Sequence, residues 1–398
     1  MKQIKIMGNY FSFNNIAFAM LLSVFILGSC NKEKDEIEPA TDIYEEDTSF
    51  KVVGYLRPSA FSKIDRMDLS KTTYINLSFA NLDSNGEMVF NNGADYTSVV
   101  SKLKAKDIKV LMSLGGGGVS STIAGYWNTH LVSGKRDKTI SGIVKYVEDN
   151  NLDGIDVDFE GSVLKGLGNY YNLFVQELKF ALHANGKTIT AALPFGFLHG
   201  NVTTATLNAF DFINVMAYDV TGPWSPDSPG QHAPSNIVTT IKNFWLINKG
   251  IPEKKIVLGV PFYGYDFERI DEYEWGITWA QIIAEDLQYA YVDEVHESGK
   301  KMYYNGIPTI ASKTQEALQE LGGVMNWSLG IDSFDDMSLL KTINQVVDAG
   351  PGNGQTITTY FADEDGDGLG SLYKPFQAYE QPEGYVTNRN DSDDSIAN

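Results

Sequence analysis

Asp153-Gly-Ile-Asp-Val-Asp-Phe-Glu160 is the stretch from which the rest of the chain can be read. As a strand it alternates strictly. Asp156, Asp158 and Glu160 share one face, and Ile155, Val157 and Phe159 share the other. At a rise of about 3.3 Å per residue, neighbouring carboxylates on that face stand roughly 6.6 Å apart. Like charges at that spacing cannot all ionise cheaply, so at least one acid is expected to titrate above the usual carboxylate range. A solvated strand edge would carry the three acids harmlessly. The other face, however, is apolar enough to be buried, which makes the strand internal and the acid row a candidate site. Asp153 lies at odd register from the other three and reads as structural or supporting.

Outward from this strand, short apolar runs alternate with helical patterns. Candidate strands are 50–56, 73–80, 108–114, 153–160, 188–193, 211–218, 256–262 and 323–328. Most are near-continuous apolar runs, as expected of parallel strands buried on both faces. Helical patterns fall near 95–106, 137–150, 169–185, 235–249, 312–321 and 335–348, with Gly186, Gly250 and Gly322 placed as C-terminal caps. Eight βα units over residues 50–349 predict a TIM (β/α)8 barrel. The alternative is an open doubly wound sheet, which the lack of a Gly-rich phosphate loop after the first strand disfavours. In a barrel the chemistry sits at the C-terminal strand ends. Polar and aromatic residues collect there: Tyr55 on strand one, Ser113-Leu-Gly115-Gly116 on strand three, Asp158 and Glu160 on strand four, Met216-Ala-Tyr218-Asp219 on strand six and Trp327 on strand eight. Trp327 reads either as a platform for an apolar sugar face or as core packing. Residues 265–307, with Trp275, Trp279, Tyr289, Tyr291, Tyr303 and Tyr304, form a long βα connection with one helix near 278–286. It reads equally as a cleft wall or a packing flap.

A hydrophobic fraction of 43% supports a substantial core, and the net charge of −20 gives no basic footprint, so nucleic acid is excluded as a partner. The acidity is concentrated in the flanks. Residues 31–48 hold eight acids against two lysines, and residues 360–398 hold nine acids against one lysine and one arginine. The N-terminus reads as a signal. Lys2 and Lys5 precede an apolar run from Ile16 to Leu27 that is short for a membrane span. Small residues then lead to Cys30, the only cysteine. The pattern resembles a bacterial lipoprotein signal over 1–29, lipidated at Cys30, with 30–49 as a polar tether; the alternative is an ordinary secretory signal. Lys34-Asp35-Glu36 resembles the acidic segment associated with surface display. These features predict a lipid-anchored outer-membrane protein, possible at the cell surface, or a secreted one without lipidation.

After Ala349-Gly-Pro-Gly-Asn-Gly354 the chain changes character, and 350–398 reads as a linker and acidic tail. Asp363, Asp365 and Asp367 alternate with glycine near, a spacing suited to Ca²⁺. Lys374 stands where an EF-hand would place its last acid. The tail is similar to acidic calcium-binding repeats of the thrombospondin type 3 kind, though it has no cysteine; the alternative is a disordered acidic tail.

Residues 50–348 resemble glycoside hydrolase family 18, the chitinases and endo-β-N-acetylglucosaminidases. The resemblance rests on Asp153–Glu160, Ser113–Gly116, Met216–Asp219 and Trp327, all in order on the predicted strands. It implies substrate-assisted retaining hydrolysis without a catalytic cofactor, an exception to the two-carboxylate scheme. Glu160 would protonate the glycosidic oxygen, and the substrate's 2-acetamido carbonyl would be the nucleophile. Asp158 would bind the acetamido N–H, and Asp156 would share a proton or hydrogen bond with Asp158. Tyr218 would donate to the acetamido oxygen, Asp219 would bind nearby, Trp327 would floor the site and Ser113 would orient Asp156. The substrate would be an N-acetylglucosamine glycan: chitin, or the chitobiose core of N-glycans. Phe159-Glu160-Gly161 departs from the Trp-Glu-Tyr form common in chitinases and keeps the N-glycan alternative open. A non-catalytic glycan-binding barrel is the rival class. The connection between strands seven and eight is short beside the α+β insertion of many exo-acting chitinases, which favours an open cleft.

Overall fold

The computed structural model describes residues 44–90, 93–198, 202–273 and 276–391. The signal, Cys30, most of the tether, Trp275 and the last acids of the tail lie outside the described residues.

Eight parallel strands form the barrel: β1 (Lys51–Leu56), β2 (Tyr74–Leu82), β3 (Lys109–Gly115), β4 (Gly154–Asp158), β5 (Thr188–Pro194), β6 (Phe212–Met216), β7 (Ile256–Pro261) and β8 (Gly323–Trp327). Strand β1 pairs with both β2 and β8, which closes the sheet. All eight coincide with the apolar runs of the sequence. Their alternation divides two cores. Ile155, Val157 and Phe159 face the surrounding helices, whereas Val53, Tyr55, Tyr74, Leu111, Phe212, Val257 and Met325 fill the barrel.

Gly186 and Gly250 have φ of +63° and +66°, the left-handed cap conformation that favours glycine. Gly322 is a glycine for another reason. The helix Ile307–Glu320 ends in an extended Leu321, and a Cβ on Gly322 would fall 2.0 Å from the carbonyl oxygen of Lys254. Close approach, not capping, excludes a side chain there.

The β7–β8 connection, read above as short beside an α+β insertion, is itself a small α+β unit, and its aromatics follow the packing reading rather than the cleft-wall one. It folds into a four-stranded antiparallel sheet ordered 277–278, 263–266, 300–303, 294–297, with the helix Trp279–Glu285. Trp279, Tyr289, Tyr291, Tyr303 and Tyr304 are buried, and Trp279 Nε1 donates to the Met337 carbonyl at 2.8 Å. These aromatics pack the insertion. Tyr263 and Tyr265, at its start, turn their hydroxyls to Asp219.

The described ends of both flanks, residues 44–49 and 358–391, are packed against the rest of the chain. Tyr44 stacks on His183 at 3.7 Å, Asp47 accepts from the Tyr74 hydroxyl at 2.9 Å, and Lys51 Nζ donates to the Asp47 carbonyl at 2.6 Å. The end of the tether is thus docked under the barrel. In the tail, Thr358–Ala362 pairs with Pro375–Ala378 and Tyr385–Val386. Phe361 meets Tyr291 edge-on at 5.1 Å, and the Tyr291 hydroxyl donates to the Leu372 carbonyl at 2.5 Å. Apolar and aromatic residues between the acids explain why residues 358–391 fold onto the insertion instead of remaining a solvated tail.

Candidate active site

Strand β4 ends at Asp158, and the chain then turns so that Glu160 precedes the helix Gly161–Leu167. Asp156 is fully buried. Register sets its surroundings, because Ser113 on β3 and Thr190 on β5 flank it directly. One carboxylate oxygen accepts from the Tyr55 hydroxyl at 2.8 Å and the Ser113 hydroxyl at 2.7 Å. The other accepts from Thr190 at 2.6 Å and the Asn214 amide at 3.3 Å. Burial pushes Asp156 up, and the four donors oppose that shift.

Asp158 does not pair with Asp156, as the family resemblance implied. Asp156 has both oxygens occupied by the four donors, one Asp158 oxygen is buried without a hydrogen-bond partner, and Asp158 titrates together with Glu160. Burial, then the neighbouring Glu160 and Asp156 charges, hold Asp158 well above the usual carboxylate range. Glu160 is also raised, first by burial and then by the charge of Asp219. The Asp158 contact opposes the rise of Glu160 while adding to that of Asp158, so the retained proton belongs to the pair and not to either residue.

Gly115 and Gly116, at φ of +97° and +94°, make this close packing possible. A Cβ on Gly115 would lie 2.4 Å from the Asp158 carbonyl oxygen, and one on Gly116 would lie 2.6 Å from the Phe79 ring. The Gly116 N–H donates to the Asp158 carbonyl at 2.8 Å. Both glycines therefore support the acid strand from beneath the site. Asp153 lies at the opposite barrel end, where it accepts from Lys104 Nζ at 2.6 Å and the Val110 N–H at 2.7 Å.

Tyr218 is buried among the acids. Burial and the charges of Asp219, Asp158, Glu160 and Asp156 push its hydroxyl well up, so it remains a donor. Asp219 adopts φ +61° and accepts from Tyr263 at 2.6 Å, Tyr265 at 3.0 Å and His232 Nδ1 at 3.2 Å. Trp327 is half-buried, stacks on Phe79 at 5.7 Å and tilts against Tyr55 at 5.4 Å. Met216 is half-buried and packs against the same interior cluster. Trp224, 60% exposed, stands edge-on to Tyr265 at 5.7 Å.

Sequence reasoning missed Thr190, Asn214, Phe79, Tyr263, Tyr265, His232 and Trp224. Thr190 and Asn214 had a usable signal, being polar residues at inward positions of apolar strands. His232 had none, because it meets Asp219 across a loop. Among the described residues, the one group of three or more acidic or metal-ligating side chains placed to hold an ion is Asp363, Asp365 and Asp367, whose carboxylate oxygens lie within 4.8 Å of one another. Asp363 accepts from the Gly366 and Gly368 N–H groups, and one oxygen of Asp365 is buried without a protein partner. These hard oxygen donors suit a divalent cation and stand apart from the barrel's acid row.

The comparisons with known proteins agree on this barrel. The GH18 chitinase ChiB from the chitin utilization locus of Flavobacterium johnsoniae is 39% identical, with a TM-score of 0.69 over 75% of this chain and 94% of that one. A chitinase from Bacteroides thetaiotaomicron is 27% identical, with a TM-score of 0.66 over 75% of this chain and 96% of that one. A secreted chitinase of Penicillium expansum is 24% identical over 358 residues, covering 73% of this chain but only 24% of its own length, so this chain spans about a quarter of that relative. The model for glycosyl hydrolases family 18 matches residues 51–332, a span that contains every barrel strand and the whole acid row. With that match and this site on one barrel, the chain belongs to glycosyl hydrolase family 18.

Proposed function

We propose that the protein hydrolyses β-1,4-linked N-acetylglucosamine in chitin or its oligomers, with retention and with the substrate's acetamido group as nucleophile. The observation that carries this is the allocation of carboxylates. Glu160 holds a proton with Asp158, Asp156 is saturated by four donors, and Asp219 is held by Tyr263, Tyr265 and His232. Glu160 and Asp158 form the pair at the reacting end, and membership of family 18, an exception to the two-carboxylate scheme, supports attack by the sugar's own acetamido oxygen. Glu160 gives its proton to the glycosidic oxygen. Asp158 then turns its charge on the acetamido N–H, Tyr218 donates to the acetamido oxygen, and Trp327 with Phe79 floors the ring.

Chitin is favoured over N-glycans because the relatives above are named chitinases and because Phe159 carries no substrate information. That residue is 2% exposed and packs against Trp127 and Phe174 in the outer core, so the departure from Trp lies outside the cleft. Chitin oligomers assayed beside a high-mannose glycoprotein test the choice: release of N-acetylglucosamine oligomers supports it, and glycan release with intact chitin oligomers rejects it. In the tail, Asp363, Asp365 and Asp367 would hold a structural Ca²⁺ apart from catalysis. Chelation is expected to lower Tm, with recovery on adding Ca²⁺; an unchanged Tm rules the ion out.

A further inference from the structure

The loop after β6 is anchored from behind by a buried lysine. Lys313, on the helix Ile307–Glu320, is 1% exposed. Its Nζ donates to the Ala233 carbonyl and to Asn305 Oδ1, both at 2.8 Å. Asn305 Nδ2 donates to the same Ala233 carbonyl at 2.9 Å. Both acceptors of Lys313 are neutral. Burial pushes Lys313 down to about 7, opposed by the charges of Asp293 and Glu316. An amine stripped of water for two carbonyl acceptors is an expensive way to fill space that an apolar side chain would fill better.

Ala233 follows His232, which is fully buried. His232 Nδ1 lies 3.2 Å from Asp219 Oδ1, and Nε2 lies 3.2 Å from the Tyr263 carbonyl oxygen. The ring thus bridges Asp219 and the strand end at Tyr263 through its two nitrogens. The backbone repeats the link, because the Val220 N–H donates to the His232 carbonyl at 3.0 Å. Asp219 stands at φ +61°, a conformation that a non-glycine residue keeps only where its neighbours over-determine it. Those neighbours are Tyr263, Tyr265 and His232, and the fixed point behind His232 is Lys313.

We propose that Lys313 is a positioning residue for the acid–base site: through Ala233 and His232 it holds Asp219, and with it the negative charge beside Glu160. The inference deepens the hydrolase proposal and rests on it. Because the Asp219 charge raises Glu160, its loss moves the alkaline limb of kcat to lower pH. Asp219→Asn is expected to show the full shift and Lys313→Met a smaller one in the same direction, with kcat/KM reduced about tenfold. The double variant is expected to match Asp219→Asn alone, since groups acting through one another are not additive. Hydrogen exchange, read on the same proteins, is expected to speed up in residues 217–236 of Lys313→Met. Should that variant fold poorly, Asn305→Leu removes a donor to the same carbonyl and is expected to shift the limb likewise. Unchanged exchange, an unchanged limb in either folded variant, or additive losses in the double variant would overturn the role of Lys313. Wild-type protein that cleaves no N-acetylglucosamine glycan would overturn both the hydrolase proposal and that role, a result distinguishable from an active enzyme indifferent to Lys313.

Discussion

The two ends of the barrel handle charge in opposite ways. At the N-terminal end, charges meet opposite charges. Lys104 pairs with Asp153 at 2.6 Å, and Lys255 pairs with Glu46 at 3.3 Å. Asp47 accepts from Tyr74, and the buried Lys51 reaches the Asp47 carbonyl. At the C-terminal end, Asp156, Asp158, Glu160 and Asp219 crowd together, and among the described residues none of them accepts from a lysine or arginine. Their donors are hydroxyls, an amide and an imidazole. Neutral donors orient a carboxylate without cancelling its charge, so the repulsion persists and protons are retained. One end serves the fold. The other keeps acids in a state that the fold alone would not select.

The strongest way to break this contrast is Glu160→Gln. Loss of the proton donor should lower kcat by about 10²- to 10⁴-fold, measured by reducing-end release. The same change should not destabilise. A carboxyl raised in the folded state binds its proton more tightly there than when unfolded, so its contribution is full below the unfolded pKa and is lost as pH rises through the folded value. At pH 7 the ionisable group is therefore a liability, and its removal should leave Tm unchanged or higher. A large fall in Tm would mean that the acid row is structural. In the wild type, the same sign predicts that kcat and stability both decline on the alkaline side, which paired titrations of rate and Tm can check.

Asp153→Ala tests the opposite end. It removes the partner of Lys104 and an acceptor for the Val110 N–H, so stability should fall by about 1–3 kcal/mol in denaturant titration. Turnover of the folded protein should stay within about twofold, because the change leaves the acid row untouched. Loss of turnover at intact stability would erase the distinction between the ends. The smallest expected effect is that of Tyr265→Phe. One of three donors to Asp219 is lost at a partly open site, worth about 1 kcal/mol or roughly fivefold in kcat/KM. An effect as large as that of Glu160→Gln would make Tyr265 part of the chemistry itself.

The sequence by itself determined the barrel and most of the acid site. Period-two alternation assigns Asp156, Asp158 and Glu160 to one face and separates Asp153, and the apolar runs locate all eight strands. These are local properties, decided by backbone geometry and burial within a few residues. Tertiary structure alone decided which acid pairs with which. Asp156 finds its donors through the lateral register of β1, β3, β5 and β6, and Asp158 meets Glu160 because the chain turns after Phe159. His232, Tyr263 and Tyr265 reach Asp219 from up to 46 positions away, and Lys313 reaches the Ala233 carbonyl from 80 positions away. The docked residues 44–49 and 358–391 belong to the same class. Their acidic composition describes solvation, whereas their order comes from a few aromatic contacts with partners distant in sequence. Contacts closed across a barrel leave no periodic trace along the chain, and that is why the acid row was legible and its supports were not.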